Sequence, residues 1–310
     1  MKNNDKCSKC SRKSAYYLPY LGKSLCKTCF IKLQEQRISK TIRNNQLIAD
    51  KDKIAVALSG GKDSAVVLDF LKRYTRYKKD IKIKAFYVDR GDYFSVKSAE
   101  MCRKICKKEQ VDLEIISLRS LFDFSMTDIV NVSKKLGVNR CSVCGVLRRR
   151  ALDLVAREQG FTKLATGHNL TDEAQSFLMN FSRADLKGFS ALGAISLPKR
   201  KGFVQRIKIL RSIPEDEVKA YADFIKLKYS PELCKCREGS FRFNFMNYLE
   251  DMKKTRPGIE FSIVKIGDQI SELVRKQRKG NISKCKVCGE LTSQDICQVC
   301  KYISVKNNLH

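Results

Sequence analysis

The stretch from Ile54 to Leu71 constrains the architecture more than any other part of this chain. Ile54 to Leu58 is a short apolar run of the kind that forms a buried parallel strand. It breaks at Ser59-Gly60-Gly61-Lys62-Asp63-Ser64, and Ala65, Leu68 and Leu71 then recur at helical spacing. A strand that turns tightly into a helix aims backbone N–H groups and the positive end of the helix dipole at one point. Gly60 and Gly61 let the backbone make that turn, Lys62 adds charge, and the hydroxyls of Ser59 and Ser64 add donors. Such a turn suits a phosphate. It is not the Walker pattern, which places a longer loop between its glycines and the lysine.

Further strands are predicted at KIKAFYVD, ending at Asp89, at DLEIISL, at FTKLATG, ending at Gly167, and at QRIKIL. Helices are predicted between them, one over Gly145–Gln159 and one near Ser212, where Ser212, Pro214 and Glu215 resemble a capping box. This alternation predicts a doubly wound, mainly parallel α/β sheet. Ligands in that architecture bind beyond the carboxyl ends of the strands. Ser59–Ser64, Asp89 and Gly167–Glu173 are therefore expected around one crevice.

The chain has 310 residues, 43% of them apolar, enough for a substantial core with small appendages. No apolar run approaches the roughly 18 residues needed to cross a bilayer. The N-terminal MKNNDKCSKC lacks the apolar centre of a signal peptide, so a soluble cytoplasmic protein without a membrane partner is expected. Lys plus Arg outnumber Asp plus Glu by 62 to 33, a net charge of +29 that favours a polyanionic partner. Basic clusters stand at Arg148, Arg149 and Arg150, at Lys199, Arg200 and Lys201, and at Arg275, Lys276, Arg278 and Lys279.

Fourteen cysteines are present, ten of them in five CxxC pairs. In a cytoplasmic chain such spacings read as metal ligands rather than disulfides. Cys7, Cys10, Cys26 and Cys29 form one two-knuckle quartet, and Cys285, Cys288, Cys297 and Cys300 form another. Each has the spacing of a structural zinc site, where a short turn sets two thiolates on one edge of the metal. The expected layout is an N-terminal zinc finger at 1–35, a catalytic domain at 36–275 with a helical RNA-binding extension, and a C-terminal zinc finger at 276–310. Cys102 and Cys106, four apart in a helical stretch, read as buried small hydrophobes. Cys141 and Cys144 precede the predicted Gly145–Gln159 helix, whose dipole favours thiolate.

Three motifs carry a family resemblance. SGGKDS resembles the signature loop of the PP-loop ATP pyrophosphatases, which cleave ATP between its α- and β-phosphates and leave an adenylate on the substrate. The resemblance implies that Ser59, Gly60, Gly61, Lys62, Asp63 and Ser64 hold ATP with Mg²⁺, and that Asp63 helps to place the metal. Gly167-His168-Asn169-Leu170-Thr171-Asp172-Glu173-Ala174 is similar to the GHNxDDEA stretch of the tRNA-thiolating branch. Thr171 stands where that branch has its first Asp, so the acidic role carries over only to Asp172. His168 is either a structural turn residue or, with Gly167 and Asp89, a nucleotide contact. RCSVCGVLRRR resembles the CxxCG element that, with a distant third cysteine, holds a 4Fe–4S cluster. In that family the third cysteine precedes a small residue, an aromatic and an arginine, so the resemblance, matched at Ser240, Phe241 and Arg242, implies Cys234, with Cys236 an unusual extra.

Three thiolates leave one iron open for sulfide. Zinc on Cys141, Cys144, Cys234 and Cys236, or a persulfide relay through Cys141 and Cys144, are the alternatives. Terminal zinc modules on both sides of the catalytic block complete the resemblance to the TtcA/TtuA family of tRNA 2-thiouridine synthetases, which includes the archaeal wobble-uridine thiolases of the NcsA type. That resemblance implies ATP-dependent thiolation of a tRNA uridine, ATP, Mg²⁺, a cluster and two zinc ions as cofactors, and a homodimer. It also implies a sulfur donor, either free sulfide or a ubiquitin-like carrier protein, and a tRNA path over the basic clusters. The rival readings are a PP-loop enzyme of the lysidine synthetase type, which needs none of these cysteines, and a zinc-ribbon RNA-binding protein with an idle loop.

Overall fold

The computed structural model describes residues 5–196, 204–231, 241–277 and 283–309. In chain order the elements are β1 (Tyr16–Leu18), β2 (Lys23–Leu25), α1 (Lys27–Asn44), β3 (Lys53–Ala57), α2 (Lys62–Tyr74), β4 (Lys82–Asp89), α3 (Tyr93–Glu109) and β5 (Leu113–Ser117). There follow α4 (Leu118–Phe122), α5 (Met126–Lys135), α6 (Arg140–Glu158), β6 (Lys163–Ala165), α7 (Leu170–Ser182), α8 (Leu186–Ser190) and β7 (Gln205–Ile207). The last are α9 (Glu215–Phe224), α10 (Phe241–Thr255), α11 (Ile259–Gln277), β8 (Ser283–Lys284), β9 (Leu291–Thr292) and α12 (Gln298–Asn307).

Five strands form a parallel sheet in the order β5-β4-β3-β6-β7. The chain builds outward from β3 through β4 to β5, then returns to the other side of β3 for β6 and β7. The direction of winding therefore reverses between β3 and β6, where ligand crevices open in such sheets. Side chains alternate across the sheet as strand geometry demands. Ile54, Val56, Ala85, Tyr87 and Ile207 enter one core, and Ala55, Phe86, Val88, Ile116 and Leu164 enter the other. Both faces are covered, which is why these strands read as continuous apolar runs.

The two cysteine modules cap opposite faces of this sheet. Leu18, Leu25 and Phe30 of the first module join the core of Ile54 and Val56. Val299 and Tyr302 of the second join that of Phe86 and Leu147. The position read as the first boundary, residue 35, falls inside α1, which buries Phe30, Gln34, Ile38, Thr41 and Ile42 along one stripe. Glu290 ties the second module to α6 by accepting from Arg157 Nη1 at 2.8 Å and ion-pairing with Arg150 Nη2 at 3.0 Å.

Two local readings need correction. The helix read from Gly145 begins at Arg140, with Asn139 as its cap accepting from the Cys141 amide at 2.8 Å. Cys141 and Cys144 thus lie within its first turns rather than ahead of it. Glycine is a poor helix former, but a Cβ on Gly145 would sit 3.2 Å from Nη1 of Arg149, so the bare position gives that guanidinium room. The capping box read at Ser212 and Glu215 is not formed. Ser212 Oγ bonds Thr41 Oγ1 at 2.8 Å, and the Glu215 amide donates to Thr171 Oγ1 at 3.1 Å.

Candidate active site

Both recognition turns leave the sheet at the reversal point. The 59–64 turn follows β3 and opens α2; its hydroxyls are ordered by one another, with Ser59 Oγ 3.0 Å from Ser64 Oγ and the latter 3.1 Å from the Gly61 carbonyl. Gly60 is at φ +80, and a Cβ there would meet the Ser98 carbonyl at 3.1 Å, so only glycine fits without strain. The α2 amides of Lys62, Asp63 and Ser64 are first-turn groups without helical acceptors, the kind that a phosphate satisfies. Lys62 Nζ lies 3.0 Å from Asp63 and 2.8 Å from Glu215. Burial works against its charge, but the two carboxylates outweigh that and hold it above the ordinary lysine range.

The second turn leaves β6 and packs directly on the first. A Cβ on Gly167 would stand 2.9 Å from the Ser64 amide nitrogen and 3.1 Å from the Asp63 carbonyl carbon, so the two turns touch backbone to backbone. Gly167→Ala would push α2's first turn away from β6 and misplace its amides. ATP affinity is expected to fall about tenfold, in line with the ~1–3 kcal/mol cost of overpacking. Titration calorimetry checks this, and an unchanged affinity would show that the contact does not set the loop.

Asn169 is buried and bridges the turns. Its Oδ1 accepts the Asp172 amide at 3.0 Å, capping α7, while its Nδ2 donates to Asp63 Oδ1 at 3.1 Å. Asp172 completes the capping box and also accepts from Arg242 Nη1 at 3.0 Å. Burial raises the pKa of both Asp63 and Asp172; Lys62 opposes it at Asp63 and Arg242 at Asp172, while Asp172 adds its own repulsion to Asp63. His168 opens to the crevice and pairs with Thr166 Oγ1 through Nδ1 at 2.8 Å. The walls of the crevice, then Lys208, lower its pKa, so the ring favours its neutral form. Asp89 accepts from the Gly91 amide at 2.8 Å and closes the turn after β4 at the same edge of the sheet.

Beneath the second turn, Glu173 and Lys208 form a buried ion pair at 2.6 Å, their side chains 4% and 8% exposed. Glu173 also accepts from the Gly193 amide at 3.3 Å. Glu173→Gln would leave the ammonium buried without its counter-charge. A loss of about 3–5 kcal/mol in urea unfolding is expected, and a loss below ~1 kcal/mol would show that Lys208 finds another partner.

Helix α6 leads into β6 and runs antiparallel to the strands, so its N-terminus lies at the same carboxyl edge as both turns. Cys141 is exposed there, and Cys144 is buried against the core of Val88 and Ile116. Cys234 and Cys236 lie outside the described residues, but their flanks do not. The Ser230 amide donates to the Gly60 carbonyl at 2.8 Å, and Arg242 grips Asp172. The chain therefore leaves from one recognition turn and returns to the other.

In each outer quartet the four sulfurs lie within 4.8 Å of one another. Cys10 and Cys26 are 3.5 Å apart, Cys10 and Cys29 3.6 Å, and Cys288 and Cys297 3.7 Å. A disulfide needs ~2.05 Å, whereas thiolates ~2.3 Å from one tetrahedral metal stand about 3.8 Å apart. Backbone amides already point at the sulfurs, as from Cys297 to Cys285 at 3.2 Å. The fit is to zinc. Cys102 and Cys106 are buried, their thiols pushed up to about 12 and about 11 by burial and then by neighbouring Cys106 and Glu109 respectively. Among the basic clusters, Arg148 is exposed, Arg149 folds its guanidinium over Gly145, and Arg275 is bound to the Ser190 carbonyl at 2.9 Å. Lys199, Arg200, Lys201, Arg278 and Lys279 lie outside the described residues.

A sequence profile of the PP-loop domain matches residues 32–233, and one for the N-terminal LIM domain of the 2-thiouridine synthetase TtuA matches residues 6–31. A probable sulfurtransferase of Methanocaldococcus jannaschii is 34% identical, over 96% of this chain and 86% of that protein. The tRNA-5-methyluridine(54) 2-sulfurtransferase of Pyrococcus horikoshii is 32% identical, over 98% and 96%. The chain belongs to the TtuA-type PP-loop family of tRNA thiolases. Among solved structures, the U34-tRNA thiolase NcsA of Methanococcus maripaludis, determined with its 4Fe–4S cluster, superposes with a TM-score of 0.83 at 33% identity, covering 97% of this chain and 96% of that one.

As a TtuA-type chain, this one departs from the branch's acidic pattern at Thr171, and the geometry shows what the threonine does. It is buried, and its hydroxyl caps α9, which brings Glu215 to Lys62. Sequence reasoning missed Lys208 and Glu215 as site residues, placed Glu173 at the crevice without a role, and used Arg242 only as a ruler for Cys234. The signal for Lys208 was a lone lysine in the apolar QRIKIL run, since unpaired lysine is almost never buried.

Proposed function

We propose that this protein thiolates a uridine of tRNA, using ATP to activate the C2 oxygen. The observation that carries this reading is the backbone contact of Gly167 on Ser64, with Cys141 and Cys144 at the same edge of the sheet. ATP lies with its phosphates on the α2 amides and Lys62, displacing Glu215 from the ammonium. Asp63, oriented by Asn169, and Asp172 supply oxygens for Mg²⁺. The uridine O2 attacks the α-phosphorus and pyrophosphate leaves. A sulfur nucleophile then adds at C2, and the C2–O bond breaks with AMP as the leaving group.

Cys141 and Cys144, i and i+3 on α6, share one helix face and with Cys234 make a three-thiolate donor set suited to iron. Cys234 is four residues beyond Ser230, within roughly 14 Å of chain reach from the loop. The cluster, when bound, supplies an iron free of protein ligands at which sulfide is held. The two outer quartets each hold a structural zinc, and the basic surface holds the tRNA, whose target base must leave its stack. No helix among the described residues is long and apolar enough to cross a membrane, and relatives at 33% identity are named cytoplasmic tRNA 2-thiolation proteins.

Anaerobic incubation with tRNA, ATP, Mg²⁺ and sulfide tests the reading. Nucleoside mass analysis should show 2-thiouridine formed in step with AMP and pyrophosphate. AMP release with an amine adduct and no thiouridine would replace it with a ligase of the lysidine type.

A further inference from the structure

Not every arginine of the 148–150 run is alike. Arg150 is committed to Glu290, which also takes Arg157 and is thereby neutralised twice over. Arg149 turns its guanidinium back over Gly145, toward the turn that carries Cys144. Arg206, on β7, reaches across to donate from Nη2 to the Arg149 carbonyl at 3.0 Å. Neither Arg149 nor Arg206 is ion-paired among the described residues. The two arginines line a cavity of about 240 Å³ between α6 and α12. Gln298 and Val299, the first two residues of α12, form its other wall, and Cys297 caps the helix by accepting the Cys300 amide at 3.4 Å. The only carboxylate on the lining is Asp153, whose pKa burial raises against the pull of Arg206.

Two guanidiniums against a single buried carboxylate, with a helix start facing the same cavity, leave an excess of positive charge that suits an oxyanion. ATP does not supply it. The nucleotide turn opens α2, which packs on the Ile54–Val56 face of the sheet, whereas α6 and α12 pack on the Ala55–Phe86 face. We propose that Arg149, Arg206 and the first turn of α12 bind a backbone phosphate of the RNA substrate, making the C-terminal cysteine module one wall of the substrate site. This rests on the tRNA reading above. It gives that module a task beyond its own folding: it sets the register of the RNA relative to the thiols one to two turns away on α6.

The test is the salt dependence of tRNA binding to the full-length, metal-replete protein. Arg149→Gln with Arg206→Gln should weaken binding about tenfold at low salt and flatten the plot of log K against log salt by about one phosphate's worth. Zinc content and ATP affinity should be unchanged, and Arg149→Lys alone, which keeps the charge, should retain the wild-type slope. An unchanged slope and affinity in the double variant would overturn the proposal. So would loss of zinc from the C-terminal quartet, which would mean that the arginines serve to balance its thiolates. Inorganic phosphate is the third arm. If it competes with tRNA more strongly than chloride at equal ionic strength, and only in wild type, the site takes free phosphate and the RNA assignment fails. Wild-type protein that binds no tRNA would instead refute the functional reading itself.

Discussion

Cys141→Ala is expected to lower thiolation by more than about a hundredfold while leaving ATP affinity within a factor of two. Cys141 is the exposed member of the α6 pair, and its amide is fixed by Asn139, so the backbone of the turn does not depend on the sulfur. The nucleotide turn is held by contacts among Ser59, Ser64, Gly167 and Asn169, none of which involves α6. Removing the thiol therefore deletes a metal or sulfur ligand without disturbing the phosphate site. Even outer-shell partners of a metal cost 10–100-fold when removed, and a direct ligand costs more. Cys106→Ala is the control: that thiol is buried and protonated, and its loss should cost stability only. Thiolation assays and ATP titration on the same anaerobic preparations check both, and retained thiolation in Cys141→Ala would remove Cys141 from the chemistry.

Cys26→Ser is expected to be the most destabilising single change outside the sheet. Cys26 is 5% exposed, caps α1 and lies in the same core as Leu25, Phe30 and Ile54. Metal binding by such a quartet contributes on the order of 10–16 kcal/mol to folding of the module, as much as the whole stability of a typical domain. Because α1 runs without a break from the module into the core that packs on α9, loss of the metal is not confined to the finger. The contacts of Tyr20, Gln34 and Arg37 with buried Glu217 go with it. Metal analysis should give one zinc fewer per chain, and the melting transition should fall by well over 10 °C or broaden. A variant that keeps both zinc ions and its melting point would show that the quartet is ornamental.

Much of the architecture was legible because parallel strands buried on both faces leave unbroken apolar runs. KIKAFYVD coincides with β4 from Lys82 to Asp89. The crevice was legible as well, since Ser59–Ser64 and Gly167–Glu173 each follow a strand on the two sides of the winding reversal. What could not be read were the places where a distant partner overrides a local rule. Gly145 looks like a helix start until Arg149 is seen folded over it. Ser212 looks like a cap until Thr41 takes its hydroxyl and Thr171 takes its role. The Lys208–Glu173 pair joins residues 35 positions apart, and neither residue alone signals the other. Nor does the sequence reveal that both cysteine modules share cores with the sheet, because their apolar residues are too few to suggest a common interior.

Sulfur transfer in this protein requires the thiols and the nucleotide to meet in one pocket. The most direct test is a crystal structure of the anaerobically prepared protein with bound ATP analogue and Mg²⁺. It should show the sulfurs of Cys141, Cys144 and Cys234 bonded to one iron–sulfur cluster, facing the α-phosphate across the crevice. Cys234 turned away from the other two sulfurs, or a cluster screened from the nucleotide by protein, would contradict it.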